Sequence, residues 1–239
     1  MTSKPTAAIN RWDEFARKNA NRYICTTLRA NTDEFWTAGE TTVNKEFLPL
    51  IQEFGLATNL ALEIGCGVGR LAIPISRHFT EVMGIDVSPE MARRATQNAS
   101  ERHASNAQFV SVPEPAALLQ LHADLRGRVD FIYSYLVMQH IEDFRIIESY
   151  VEAASQLLSF QGLALLQFDT RTRNFLYRLR SYAPDVILPW NHRRQIRRIR
   201  RTPAELELIF QKAGFTVVRQ LAPDSELHAY LLRKNSESK

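Results

Sequence analysis

Cysteine is scarce in this chain: Cys25 and Cys66 are the two in 239 residues, far apart and with no Cys-x-x-Cys or Cys/His cluster near either. That excludes a disulfide framework and a zinc site of the usual spacing, so the expectation is two free thiols and no metal. Long hydrophobic runs are also missing. The longest uncharged apolar stretch, residues 157–168, is too short and too polar to cross a bilayer, and the opening Met-Thr-Ser-Lys-Pro-Thr lacks an apolar signal core. A cytoplasmic protein without a membrane partner is therefore expected. Internal repeats, low-complexity tracts and linkers are absent, and 45% hydrophobic content suits one globular domain with one sizeable core. Acid is missing from one segment. Between residues 171 and 201 there are ten arginines against Asp185 alone, a local charge of +9 in a chain whose total is +4, which leaves −5 for the remainder. Such an asymmetry excludes a nucleic-acid binder coated in positive charge and points to a localised anionic partner.

Glycine is sparse as well, yet three of the nine glycines fall at positions 65, 67 and 69. They follow Ala61, Leu62 and Ile64, which read as a short buried strand, and precede an apolar pattern, Leu71, Ala72, Ile73, Ile75 and Phe79, that predicts a helix with Pro74 in its first two turns. A glycine loop between strand and helix lets the backbone turn tightly and approach a nucleotide-like ligand, although alternate glycines alone also fit a plain tight turn. Residues 81–86 form a second strand ending in Asp86, and Ser88-Pro89 is a cap followed by a proline at the first helical position. Asp86 thus stands at a strand tip about twenty residues beyond the glycines, where an acid can accept both hydroxyls of a ribose.

Upstream, residues 1–55 read as a helical segment. Trp12, Phe15 and Ala16 recur at helical spacing; Val43, Phe47, Leu50, Ile51 and Phe54 follow Thr42 as a cap and end at Gly55. Trp12, Phe35 and Trp36 are either core contacts or part of a lid. Downstream, strands are predicted over 107–112, 129–136 and 162–168, with an amphipathic helix over 142–158. Alternation of this size means a parallel sheet with helices on both faces and ligands at the carboxyl ends of its strands. Two last strands, 216–221 and 227–232, are joined by Ala222-Pro-Asp-Ser225, too short for a parallel crossover, so they must pair antiparallel.

The set of motifs resembles the class I S-adenosylmethionine-dependent methyltransferases. The matching residues are Leu62-Glu-Ile-Gly-Cys-Gly-Val-Gly-Arg70, Gly84-Ile-Asp-Val-Ser-Pro-Glu-Met91, Val129-Asp-Phe-Ile-Tyr-Ser-Tyr-Leu-Val-Met-Gln-His-Ile141, Leu158-Ser-Phe-Gln-Gly162, and Pro203-Ala-Glu-Leu with Ala213-Gly-Phe215. The resemblance implies an α/β, Rossmann-like, seven-stranded, mostly parallel sheet with an antiparallel C-terminal strand and helices on both faces. It makes 56–239 a domain binding S-adenosyl-L-methionine, with an acceptor-binding insertion at about 170–202; the helical segment 1–55 ahead of it is the expected lid. It also implies cofactor contacts from Glu63, Gly65, Cys66, Gly67, Gly69, Arg70, Asp86, Val87, Met91, Ser134 and Gln139. One departure stands out: the acid usual after the third strand is replaced by Val110-Ser-Val-Pro-Glu114, so the backbone of Val112 or the Glu114 carboxylate would serve the adenine.

Methyl transfer to a hydroxyl requires an aligned lone pair and a destination for the proton. His140 is the leading candidate base, because an imidazole titrates near neutrality, and Tyr135 is a second. Absence of an Asn-Pro-Pro-Tyr or Asp-Pro-Pro-Tyr run after the fourth strand favours a small-molecule acceptor over a base amine. Trp36, Asp169, Arg193 and Arg194 are the acceptor-binding candidates. Arginine forks suit carboxylate or phosphate, although such runs are also found as solvated helix faces. The expectation is transfer to an oxygen of an anionic metabolite or natural-product intermediate by a monomer or homodimer. An RNA methyltransferase using residues 193–201 on the phosphate backbone and a non-catalytic cofactor-binding scaffold stand as alternatives.

Overall fold

Apolar residues spaced by two along the strands divide the core between the faces of one sheet. In the computed structural model, which describes residues 7–24, 32–189, 193 and 196–235, the strands are β1 (Leu60–Ile64), β2 (Glu81–Asp86), β3 (Ala107–Ser111), β4 (Val129–Ser134), β5 (Leu158–Phe168), β6 (Phe215–Leu221) and β7 (His228–Lys234). Their order is β3-β2-β1-β4-β5-β7-β6, with β1 to β5 parallel and β7 antiparallel to both neighbours. The expected architecture, hairpin included, is therefore present. Leu62, Ile132, Leu166 and Tyr230 face one side, where helices α7 (Phe144–Leu157) and α9 (Pro203–Lys212) cover them. Ala61, Phe131, Leu165 and Leu231 face the other, under Val43, Phe47, Leu71 and Ile75. A third cluster joins α1 (Ala7–Ile24), α2 (Thr32–Thr42) and α5 (Pro89–Glu101) through Ala16, Phe35, Trp36 and Met91.

Several local expectations are corrected. Thr42 is not a cap: α2 continues through a π-helical turn (Val43–Phe47) into α3 (Leu48–Glu53), and the Thr42 hydroxyl donates back to the Ala38 carbonyl. The helix after the glycine loop is one turn, α4 (Ala72–Ile75), because Arg77 and His78 bond three residues back and tighten the chain. β4 stops at Ser134, and Leu136 takes a left-handed φ of +62° that no strand continues through. β5 starts at Leu158, with an irregular register between Val129 and Phe131 on β4. Helices α6 (Pro115–Leu121) and α8 (Phe175–Tyr182) complete the described set. No helix among the described residues is long and apolar enough to cross a membrane.

Candidate active site

The glycine loop is hung from the tip of β2. Gly65 and Cys66 donate their N–H groups to the Ile85 carbonyl at 2.8 and 2.9 Å, and Gly67 N donates to Asp86 Oδ2 at 2.9 Å. Asp86 Oδ1 accepts from Ser88 N at 2.9 Å. Each Asp86 oxygen thus keeps a lone pair for a further donor. Burial pushes the Asp86 carboxyl up to about 6, against the pull of those N–H groups. Gly65 has φ +78°, and a Cβ there would stand 2.5 Å from Val137 Cγ2, so the loop and the β4 exit approach too closely for any side chain.

Glu63 is buried at the end of β1. It accepts from the Tyr133 hydroxyl at 3.3 Å and from the Ala72 N–H, and burial drives its carboxyl up to about 8 despite the nearby Arg70 cation. Arg70 is 4% exposed, and its buried Nε has no hydrogen-bond partner. Cys66 is a buried free thiol, raised well above its ordinary range by burial. Cys25 lies outside the described residues. Ser88 caps α5, accepting from Met91 N at 3.1 Å, while Asp13 of α1 accepts from the Ser88 hydroxyl and from Glu90 N at 3.1 Å. Val87 is half-buried and Met91 is buried against α1 and α2. Val112 donates its N–H to the Asp86 carbonyl at 2.8 Å, whereas Glu114 is exposed and forms no side-chain cap. Among the described residues no His, Cys, Asp and Glu group is placed to hold a metal.

On the other side, β4 and β5 present a polar network. Ser134 Oγ donates to the Ile64 carbonyl at 3.0 Å, fixing the loop's entry. Gln167 is fully buried: Nε2 donates to Gln139 Oε1 at 3.2 Å and to the Glu226 carbonyl at 2.8 Å, and Oε1 accepts from Leu136 N at 2.7 Å. Sequence reasoning missed it; a glutamine inside Leu-Ala-Leu-Leu-Gln-Phe was the available signal. His140 Nδ1 donates to the Arg197 carbonyl at 3.3 Å, leaving Nε2 to face the Gln139 amide at 3.4 Å. Burial pushes its pKa down to about 4, so the imidazole is neutral at pH 7. The Trp12 ring of α1 meets it edge-on, centroids 6.0 Å apart.

Residues 196–201 fold back as a strap rather than as a helix face. Ile199 N donates to the Gln139 carbonyl at 2.7 Å, and Arg201 N to the Asp169 carbonyl at 2.9 Å. The Asp169 side chain is fully buried and held by Arg171, with an Nη2 contact of 2.6 Å. Arg171 and Arg198 both reach Glu226, at 3.0 and 2.7 Å, the latter without hydrogen-bond alignment. Between strap, α8 and the loop lies a cavity of about 410 Å³, bordered by Ile24, Leu136, Gln139, His140, Tyr177 and Arg180. Ile24 also lies against the glycine loop, 2.7 Å from where a Gly67 Cβ would stand. Three sequence candidates are not brought here. Tyr135 follows Phe131 and Tyr133 on the opposite face and donates its hydroxyl to Glu46 at 2.9 Å. Trp36 is buried in the α1–α2–α5 cluster with Arg102 stacked on its ring at 3.9 Å, so the core contact replaces an acceptor contact. Arg193 is exposed, its Nε on the Leu188 carbonyl, outside the cavity lining. Arg194 and Trp190 lie outside the described residues.

A family model described as a methyltransferase domain matches residues 40–220. Over 168 residues the chain is 29% identical to the ubiquinone biosynthesis O-methyltransferase of Psychrobacter arcticus, covering 69% of this chain and 62% of that protein. For the protein of the same name from Brucella ovis the figures are 28% over 162 residues, 67% and 61%. The chain spans about three fifths of the length of these curated relatives. Among solved structures it is similar to magnesium protoporphyrin IX methyltransferase from Synechocystis PCC 6803 with bound SAH, at TM-score 0.67 and 19% identity over 95% of this chain and 98% of that one. A S-adenosylmethionine-dependent methyltransferase from Clostridium acetobutylicum gives TM-score 0.65 and 13% identity over 95% and 100%. At these identities the structures share the fold. The matched span carries the glycine loop, Asp86, His140 and the strap, and the chain belongs to the methyltransferase-domain family.

Proposed function

We propose that this chain is an S-adenosylmethionine-dependent O-methyltransferase for a small, anionic, partly apolar molecule. The observation that carries the reading is Ile24, which touches the glycine loop and lines the cavity that His140 borders, so a cofactor side and an acceptor side share one wall. The residues present fit the cofactor. Glu63 and the orphaned Arg70 Nε form a buried acid and donor suited to an ammonium and a carboxylate, and Asp86 retains acceptor capacity for ribose hydroxyls. S-adenosylmethionine, when bound, supplies an electrophilic methyl group on a sulfonium. His140, neutral and oriented by the Arg197 carbonyl, accepts a hydrogen bond from the acceptor's hydroxyl on Nε2 and so aligns that oxygen with the methyl group.

Residues 170–202 supply the acceptor site: Leu176, Tyr177 and Ile196 offer apolar surface, and Arg180 reaches the cavity without an ion-pair partner among the described carboxylates. Residues 1–55 serve as the lid, with Trp12 over His140 and Asp13 on α5. The inward bonds of Arg197, Arg200 and Arg201 to the Ser181, Thr172 and Ile141 carbonyls favour a small acceptor over a phosphate backbone. Calorimetric titration with S-adenosylmethionine, followed by tritiated methyl transfer to hydroxylated carboxylic acids and to cell RNA, tests the reading. Asp86→Ala should weaken cofactor binding roughly tenfold to a hundredfold, the worth of a hydrogen bond to a charged group. No cofactor binding by the unmodified chain would defeat the enzyme reading, and label in RNA alone would defeat the small-molecule one.

A further inference from the structure

α8 carries its apolar residues on the outside. At the helical repeat, Phe175, Leu179 and Tyr182 fall within about 60° of one another on its circumference, and they are 77%, 59% and 89% exposed. The opposite arc, with Tyr177 and Ser181, faces the acceptor cavity. No residue of α8 is buried, and the turn that follows adds Val186 and Ile187, 83% and 70% exposed. Large apolar side chains gathered this way on one surface mark a place that something else covers. Two exposed arginines border the patch: Arg178 on α8, and Arg193, whose Nε bonds the Leu188 carbonyl beside Ile187; neither pairs with a described carboxylate.

We propose that this face of α8 docks the protein onto an anionic lipid surface, contrary to the sequence expectation of no membrane partner. An outward apolar stripe fringed by cations is the arrangement that lies in a headgroup layer, rings and aliphatic chains below and guanidiniums among the phosphates. A second copy is the poorer occupant, because a two-fold contact would set this cationic rim against itself. Docking would set α8 between the lipid and the acceptor cavity, which would then lie one helix away from the headgroup layer, an inference that goes beyond the identity of the methylated atom.

Co-sedimentation of the full chain with vesicles tests it. The chain should pellet with equal parts phosphatidylcholine and phosphatidylglycerol, bind phosphatidylcholine alone about tenfold less, and release at about 0.5 M salt. The combined variant Phe175→Ser, Leu179→Ser, Tyr182→Ser should bind about tenfold more weakly, with its melting temperature and S-adenosylmethionine affinity unchanged. Arg178→Glu should weaken binding to the anionic vesicles only. No binding to anionic vesicles, or binding that the combined variant retains, overturns the proposal. So does α8-dependent self-association without lipid, or tighter α8-dependent binding to polyglutamate than to vesicles. Intact cofactor affinity alongside such a failure confines the loss to the docking surface and leaves the methyl-transfer reading standing.

Discussion

The His140 imidazole is held by a carbonyl 57 residues away and kept neutral by burial, and both facts have a measurable consequence for stability. The unfolded chain takes up a proton near pH 6.5, whereas the folded chain refuses it until about pH 4. Between these values the unfolded state binds more protons, so stability is present above pH 6.5 and is lost as the pH falls, by roughly 3 kcal/mol over the window. Glu63 works in the opposite direction: the folded chain keeps its proton up to about pH 8, while the unfolded chain releases it near 4.5. His140→Gln should therefore become more stable relative to the parent as the pH falls from 7 to 5, as read from urea midpoints. An unchanged slope would mean that the imidazole is not held neutral. This residue was legible as a candidate because a histidine follows the fourth strand. Its orientation was not, since the Arg197 carbonyl that sets it comes from the strap.

At the level of elements, α1 brackets the site with two adjacent residues. Trp12 packs on His140 and Asp13 caps the start of α5, reaching the two ends of the cleft from one helical turn. Asp13 is an acid at a helix N-terminus with a backbone donor in reach, so Asp13→Ala should cost roughly 1 kcal/mol in urea unfolding. Asp13→Asn keeps the acceptor oxygen and should recover most of it; equal losses in both variants would assign the effect to charge alone. What could be read locally was read well. The Ser88 cap, β2 to the residue, and the antiparallel last pair all follow from periodicity, a Ser-Pro dipeptide or a loop length. What failed depends on partners distant in sequence. Arg201 donates to Ile141 and Glu142 carbonyls, and Ile199 to Gln139, so residues 196–201, for which the sequence left an acceptor-binding wall and a solvated helix face both open, fold inward as a strap. The one-turn α4 and the π-helical turn likewise answer to packing over the sheet rather than to propensity.

Across the whole molecule, the chemistry gathers at the carboxyl ends of β1, β2, β4 and β5, where the described part of the +9 segment folds over a chain otherwise negative. Asp169, Glu142, Glu205 and Glu226 absorb part of that charge, while Arg180 keeps its charge in the cavity and Arg178 on the outer flank of α8. The glycine loop stands at the centre of this end, and Cys66, 3% exposed with its thiol proton held by burial, is sealed inside it. A sealed thiol is a clock for the loop. In a Cys25→Ser background, a thiol reagent can label Cys66 only while the loop is open, so the labelling rate measures how often that happens apart from global unfolding. S-adenosylmethionine at about 100 times its Kd should slow labelling about a hundredfold if opening expels it. A rate indifferent to the cofactor would mean that the thiol is uncovered by a movement the bound molecule does not oppose.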